Sequence, residues 1–239
     1  MSAQELLDPV AAYDRVAPIY TRLSDERRAY LDAVDRLVVG EVRLHSRSLL
    51  DVGTGDSARA IRIAAEAGLR DVTLLEPSPV MRSFCPANAN VWAMRAEDLH
   101  AQHGSFDVIT CLWNVLGHIF PAAARREVLR QFARLLAPEG RIFIDVNHRY
   151  NARHYGALAT AMRFLRDRVS PDEANGDVKV VWNIDGRSCA TSGHVFTHRE
   201  FAKLAESAWL RVEKRFVIDY ASGELRQRSY QGNLLYVLR

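Results

Sequence analysis

Short apolar runs and amphipathic stretches alternate through the middle of the chain. Runs at 48–52, 72–76, 91–94, 106–112 and 141–146 predict strands, and stretches at 57–67, 78–84 and 122–136 predict helices. This alternation is the pattern of parallel strands joined by crossover helices, which makes the fold α/β and doubly wound. Ahead of the sheet, Tyr13 to Tyr20 and a helical run from about Asp25 to Val39 form a candidate lid. Beyond it, a helical stretch over 152–175 leads to two paired strands, Val178–Ile184 and the segment around His194 to Phe196, with a turn near Asp185-Gly186. Thr197 followed by Glu200 reads as a capping box that opens a helix to about Trp209. Strands at about 211–219 and 229–238 close the chain.

One domain over 1–239 accommodates these elements: a helical lid (1–45), a ligand-binding core (46–150), a small strand insertion after the fifth strand that covers the substrate (151–196), and a closing helix and hairpin (197–239). Ligands in such sheets bind at the carboxyl ends of the strands. Asp51, Glu76, Glu97, Asn114 and Asn147 all fall near those ends. Between the first run and its helix lie Gly53 and Gly55, which let the backbone take positive φ and approach a ligand, while the helix start offers free N–H groups. The turn alone also suits nicotinamide or flavin, since Ala58 is tolerated as the third small residue. Glu76 lies 25 residues after Asp51, where a carboxylate accepts hydrogen bonds from a ribose diol.

Composition narrows the classes. The formal charge of the 239 residues is only +3, without a block of like charges, which argues against a nucleic-acid partner. Three cysteines without CxxC spacing indicate neither a disulfide framework nor a zinc site, and Cys111 reads as a buried small hydrophobe. No apolar run of membrane-spanning length is present, and Met1 to Glu5 lacks a signal-peptide layout. A cytoplasmic protein with a small-molecule substrate, no membrane partner and the option of an oligomer is the expectation.

The order Asp51-x-Gly53-x-Gly55, followed by Glu76-Pro77-Ser78-x-x-Met81, resembles class I S-adenosylmethionine-dependent methyltransferases. The resemblance implies a Rossmann-like, mostly parallel seven-stranded sheet with an antiparallel terminal hairpin. It implies that Asp51 faces the methionine end of the cofactor, and that Pro77, Met81, Leu112 and the loop Ala96-Glu97-Asp98 surround the rest, with Arg95 a departure from the usual acid. Tyr13 and Tyr20, in a Tyr-Asp-x-x-Ala-x-x-Tyr spacing, would close over it. Cys-Leu-x-Asn-x-x-x-His-Ile at 111–119 and Ile-Asp-x-x-x-Arg-Tyr-Asn at 144–151 resemble glycine N-methyltransferase and its relatives. Carried over, Asn114 and His118 lie near the methyl acceptor and Arg149 binds its carboxylate, although the spacing after Asp145 leaves His148 as an alternative. Trp113, Asn147, Tyr150, Asn151 and Trp182 are further acceptor-site candidates, with His194, Tyr220 and Arg228 behind them.

The resulting expectation is metal-free, in-line methyl transfer to a small molecule, an amine nitrogen before a hydroxyl, leaving S-adenosylhomocysteine as product. A hydroxyl acceptor would use His118 as general base. Trp113-Asn114 does not supply the acid that metal-assisted transfer needs after the fourth strand. The rivals are a catalytically silent cofactor-binding protein, suggested by Ser57 in place of a common glycine, and a nicotinamide reductase, for which no Tyr-x-x-x-Lys pair is present.

Overall fold

The computed structural model describes residues 6–184 and 186–239. The expectations about an N-terminal leader and about Asp185 in the Asp-Gly turn fall on residues outside the described ones. In chain order the elements are α1 (Pro9–Val16), α2 (Tyr20–Glu26), α3 (Arg28–Glu41), β1 (Ser48–Val52), α4 (Ala58–Ala67), β2 (Asp71–Leu75), α5 (Pro79–Arg82), β3 (Asn90–Trp92), β4 (Phe106–Cys111), α6 (Ala122–Leu135) and β5 (Leu136–Val146). There follow α7 (Ala152–Tyr155), α8 (Ala157–Val169), β6 (Asp177–Ile184), β7 (Arg187–His194), α9 (His198–Ser207), β8 (Val212–Ile218), β9 (Leu225–Arg226) and β10 (Asn233–Leu238).

The large sheet runs β3-β2-β1-β4-β5-β10-β8-β9. β1 lies parallel to β2 and β4, whereas β10 is antiparallel to both β5 and β8. The sheet has eight strands and not seven, because the chain turns back after β8 and β9 pairs Leu225 and Arg226 with Ile218 and Val217. Asp219 builds that turn by accepting the N–H groups of Ala221 and Ser222. β5 also begins earlier than the apolar run at 141: Leu136 pairs with Phe106 before a register shift brings Arg141 opposite Val108.

Strand periodicity explains the two layers, since successive side chains face opposite sides. Leu50, Ile109, Ile142, Ile144 and Tyr236 face α6 and α9, where Val128, Leu129, Phe132, Phe201 and Leu204 complete the packing. Leu49, Val108, Phe143, Leu235 and Val237 face α3 and α4, against Tyr30, Val34, Val38 and Ile63. Each such fully buried side chain contributes roughly 1.5–3 kcal/mol of transfer free energy, which holds the strand ends in fixed register. Cys111 lies in the first of these clusters, and burial pushes its thiol far above the ordinary range. That suits packing and not nucleophilic attack.

β6 and β7 form a separate antiparallel pair, from Asp177 opposite His194 to Ile184 opposite Arg187. The pair is tied to the N-terminal segment where Leu7 N–H donates to Ala190 O and Thr191 Oγ1 donates to Leu7 O. The predicted capping box forms at Thr197 and Glu200 and starts α9. Among the described residues no helix is long and apolar enough to cross a membrane, and no three His, Cys, Asp or Glu side chains converge as a metal-holding group.

Candidate active site

β1, β2 and β3 end side by side, and their carboxyl ends floor a cavity. Gly53 (φ 72°) and Gly55 (φ 60°) both occupy the left-handed region. A Cβ on Gly53 would stand 2.7 Å from the Val115 methyls, and one on Gly55 would stand 2.8 Å from the Tyr20 hydroxyl. Glycine is thus required at both positions by backbone angle and by space. Ser57 is left-handed as well (φ 65°) and precedes α4.

Glu76, at the end of β2, bridges this turn to the next. Its Oε2 accepts the Gly55 N–H at 2.8 Å and its Oε1 accepts the Ser78 N–H at 2.8 Å. Each oxygen keeps lone-pair capacity for a further donor. Burial, opposed by those two N–H groups and by Arg82, raises its pKa from 4.5 to about 7. Asp51 is also buried and accepts a hydrogen bond from Thr110, and desolvation raises its pKa.

Pro77, Ala96 and Glu97 line the same cavity, with Val52, Leu75 and Arg95. Arg95 is held by an ion pair to Asp8 at 2.6 Å, which ties the Ala96-Glu97-Asp98 loop to the start of α1. Of the two acids proposed for that loop, Glu97 faces the cavity and Asp98 is exposed. Met81 and Leu112 are buried in the packing behind the cavity.

The roof comes from α1 and the turn after β4. Pro9, Val10 and Tyr13 of α1 cover the cavity opposite Val115, His118 and Ile119. Sequence reasoning missed Pro9 and Val10; the proline at the helix start was the available signal. Tyr20 packs on Trp113 with ring centroids 5.6 Å apart, and its hydroxyl lies over Gly55. Tyr13 meets the edges of His118 (5.5 Å) and Trp182 (5.6 Å). His118 Nδ1 lies 3.0 Å from the Ser192 carbonyl and Nε2 lies 3.4 Å from the Tyr13 hydroxyl. A carbonyl only accepts, so Nδ1 carries the proton and Nε2 presents a lone pair. Burial lowers the His118 pKa, which keeps the ring neutral.

The polar cluster after β5 is a set of cross-links, contrary to the expectation of an acceptor site there. Asn114 accepts the Asn147 N–H through Oδ1 at 2.9 Å and donates through Nδ2 to the His194 carbonyl at 3.3 Å. These bonds hold Trp113 (φ 58°) and Asn114 (φ 61°) in the left-handed region, a conformation that costs roughly 1–2 kcal/mol for a side-chain-bearing residue. Asn147 and Asn151 both bond Asn233, which sequence reasoning did not single out.

Arg149 does not reach the cavity. It is 3% exposed and donates to Asp167 (2.9 Å), Glu200 (2.6 Å) and the Val195 carbonyl (3.2 Å), so its guanidinium is already committed. Tyr150 donates to the same Asp167 oxygen at 2.6 Å. His148 is buried on the far side, its pKa pushed down to about 4 by desolvation. Arg149 is not free to bind a carboxylate, and His148 does not line the cavity. Arg228 pairs with the Tyr230 hydroxyl outside both cavities.

A second cavity, about 330 Å³, opens beside Tyr220 between Arg27, Arg153, His154 and Asp219. The Trp113 indole donates to the Tyr220 hydroxyl at 3.4 Å, so one aromatic wall separates this cavity from the glycine turn. Arg153 and Arg226 pair with Asp219. Arg27 has no carboxylate partner among the described residues; its guanidinium lies 4.8 Å from the Tyr220 ring centroid. Burial, with the charges of Arg27 and Arg163, lowers the His154 pKa.

Residues 49–140 match the family model described as a methyltransferase domain. A glycine/sarcosine N-methyltransferase of Parasynechococcus marenigrum (strain WH8102) is 31% identical over 111 residues, 42% of this chain and 38% of that protein. A glycine/sarcosine N-methyltransferase of Halorhodospira halochloris is 29% identical over 124 residues, 44% of each chain. The chain thus covers less than half the length of these curated relatives. The CcbJ methyltransferase from Streptomyces caelestis superposes with a TM-score of 0.69 at 16% identity, over 95% of this chain and 97% of that one, which shows a shared fold. Residues 49–140 thus match a methyltransferase domain, and the chain as a whole shares the fold of a known methyltransferase.

Proposed function

We propose that the chain transfers the methyl group of S-adenosylmethionine to an amine nitrogen of a small, anionic acceptor. The observation that carries the reading is Glu76: a buried carboxylate whose two oxygens are already aligned by Gly55 and Ser78, each with room for one ribose hydroxyl. The residues fit the cofactor chemically. Gly53 and Gly55 form the left-handed turn at the strand end, Asp51 offers a carboxylate to an ammonium, and Glu97 flanks the apolar Leu75 and Ala96 where a base ring would lie. When bound, the cofactor supplies an electrophilic methyl group on a sulfonium.

What remains for the protein is to align the acceptor and exclude water. Tyr13, Tyr20, Trp113 and Trp182 supply an aromatic roof. His118 Nε2 accepts the N–H of the acceptor and so turns the nitrogen lone pair toward the methyl group. Its lowered basicity suits orienting an amine better than deprotonating an alcohol, although the same lone pair supports a hydroxyl acceptor as the second reading.

For an acceptor that extends past the Trp113–Tyr220 pair, Arg27 takes the anion-binding role that the sequence resemblance gave to Arg149. Its unpaired charge faces the second cavity, across the Trp113–Tyr220 wall from the glycine turn. The two curated relatives are named for glycine and sarcosine, amines that carry a carboxylate. The test is incubation with methyl-labelled S-adenosylmethionine and matched acceptors: amino acids, their esters, simple amines and phenols. Label on the nitrogen of acids, and far less on their esters, supports the reading; transfer only to hydroxyls, or no preference for the free acids, overturns it.

A further inference from the structure

His194, the last residue of β7, has no solvent-exposed surface and is flanked by two acids. Its Nδ1 lies 2.7 Å from Asp177 Oδ1, and its Nε2 lies 2.6 Å from Glu200 Oε1. An ionised carboxylate can only accept, so both ring nitrogens must donate. A neutral imidazole has one donor and would turn a bare nitrogen toward one of the acids. We propose that His194 is held as a buried imidazolium clamp, and that it is a positioning residue that fixes the tautomer and placement of His118.

The surrounding charges support a cation here. Glu200 also accepts from Arg149, which pairs in turn with Asp167, and Asp167 accepts from Tyr150. Arg125, buried over the Phe196 ring, and Glu173, whose carbonyl faces Arg149, complete the groups packed around the ring. With His194 charged, the cations His194 and Arg149 stand against Asp177, Glu200 and Asp167. A neutral ring would leave Glu200 and Asp167 in the interior facing Arg149 and Arg125, and would turn an undonating nitrogen toward Glu200 or toward the half-exposed Asp177. Space is equally restricted: a Cβ on Gly176 would lie 2.3 Å from Arg149 Nη2 and 2.5 Å from His194 Cε1.

The clamp reaches the site through the backbone of β7. Asp177 begins β6 and Glu200 lies in the first turn of α9, so the ring bolts the end of β7 to both. Two residues back, the Ser192 carbonyl takes the His118 Nδ1 proton, and the His194 carbonyl itself takes the Asn114 amide. Moving this stretch of β7 would release the one bond that makes His118 Nε2 the acceptor. The catalytic consequence rests on the role proposed for His118; the protonation and tautomer claims stand apart from it.

Nitrogen-15 NMR of histidine-labelled protein at pH 7.5 tests the proposal directly. Wild type should show both His194 nitrogens protonated and His118 as a single Nδ1–H tautomer. His194→Gln, which cannot donate in two directions, should convert His118 to a tautomer mixture. Calorimetry with S-adenosylhomocysteine should show cofactor affinity unchanged in the variant, since His194 lies outside the cofactor cradle. A neutral His194 in wild type overturns the clamp even if the variant fails to fold, and an unaltered His118 tautomer in a folded variant overturns the positioning role.

Discussion

Glu76→Gln is the substitution whose outcome the structure constrains most tightly, because shape is retained and only charge and one acceptor are lost. In wild type the buried carboxylate has a pKa of about 7, raised chiefly by desolvation, and two backbone N–H groups hold it in place. Charge-assisted hydrogen bonds contribute about 1.5–3 kcal/mol each, so replacing one carboxylate oxygen by an amide should weaken S-adenosylhomocysteine binding about 30-fold at pH 8. If only the ionised form holds the ribose, wild-type affinity should fall about tenfold between pH 8 and pH 6, as the ionised fraction drops through the pKa. The gap between variant and wild type should therefore shrink to about threefold at pH 6.

Stability gives the control for that experiment. A carboxyl with a raised folded-state pKa favours the native state below its ordinary pKa of 4.5, and that contribution is lost as pH rises through about 7. At pH 8 the ionised group costs on the order of 3 kcal/mol, and the variant removes this cost. The amide in turn sets an N–H against the N–H of Gly55 or Ser78, a loss of about 1–3 kcal/mol. The two changes offset, so the variant should melt close to wild type at pH 8. Calorimetric titration at pH 6, 7 and 8 measures the binding terms. A pH-independent wild-type affinity, or a variant that binds as tightly as wild type at pH 8, would refute the ribose assignment.

Other substitutions separate binding, acceptor recognition and folding. Gly53→Ala places a Cβ against Val115 at a φ of 72°, so urea denaturation should show a loss of at least roughly 1–2 kcal/mol of stability, the cost of that backbone region. Arg27→Gln should raise KM for carboxylate-bearing amines about tenfold or more while leaving KM for their esters and cofactor affinity unchanged, the loss matching one charge-assisted hydrogen bond. His118→Asn should reduce kcat by about 10²-fold without altering S-adenosylhomocysteine affinity, as rapid-quench and binding assays would show. Arg149→Ala should cost about 3–5 kcal/mol in urea denaturation, since it strands Asp167 and Glu200 in the interior.

The proposed cofactor cradle is legible in the sequence because its determinants are local. Gly53 and Gly55 follow directly on β1, and Glu76 follows β2, so periodicity and a glycine turn suffice to bring them to one edge of the sheet. The cross-links after β5 were not legible, for the opposite reason. Asn114, Asn147, Arg149 and Asn151 occupy strand ends where ligands bind, but their partners are His194, Val195, Glu200 and Asn233, up to 86 residues away in sequence. A polar side chain that cross-links the backbone and one that awaits a ligand look the same without the tertiary partner. Arg27 was missed because an arginine beside Arg28 at a helix junction carries no motif; only its place over Tyr220, without a carboxylate partner among the described residues, sets it apart. The short β9 escaped notice because two residues are too few to establish a period.

Calorimetric titration of the purified protein with S-adenosylmethionine, S-adenosylhomocysteine and NADPH in parallel tests the central claim most directly. Micromolar, one-to-one binding of the first two without NADPH is the predicted result, since the proposed function assigns the ribose to Glu76 and the amino-acid tail to the turn at Gly53. Tight NADPH binding, or no binding of either sulfur ligand, would contradict the account.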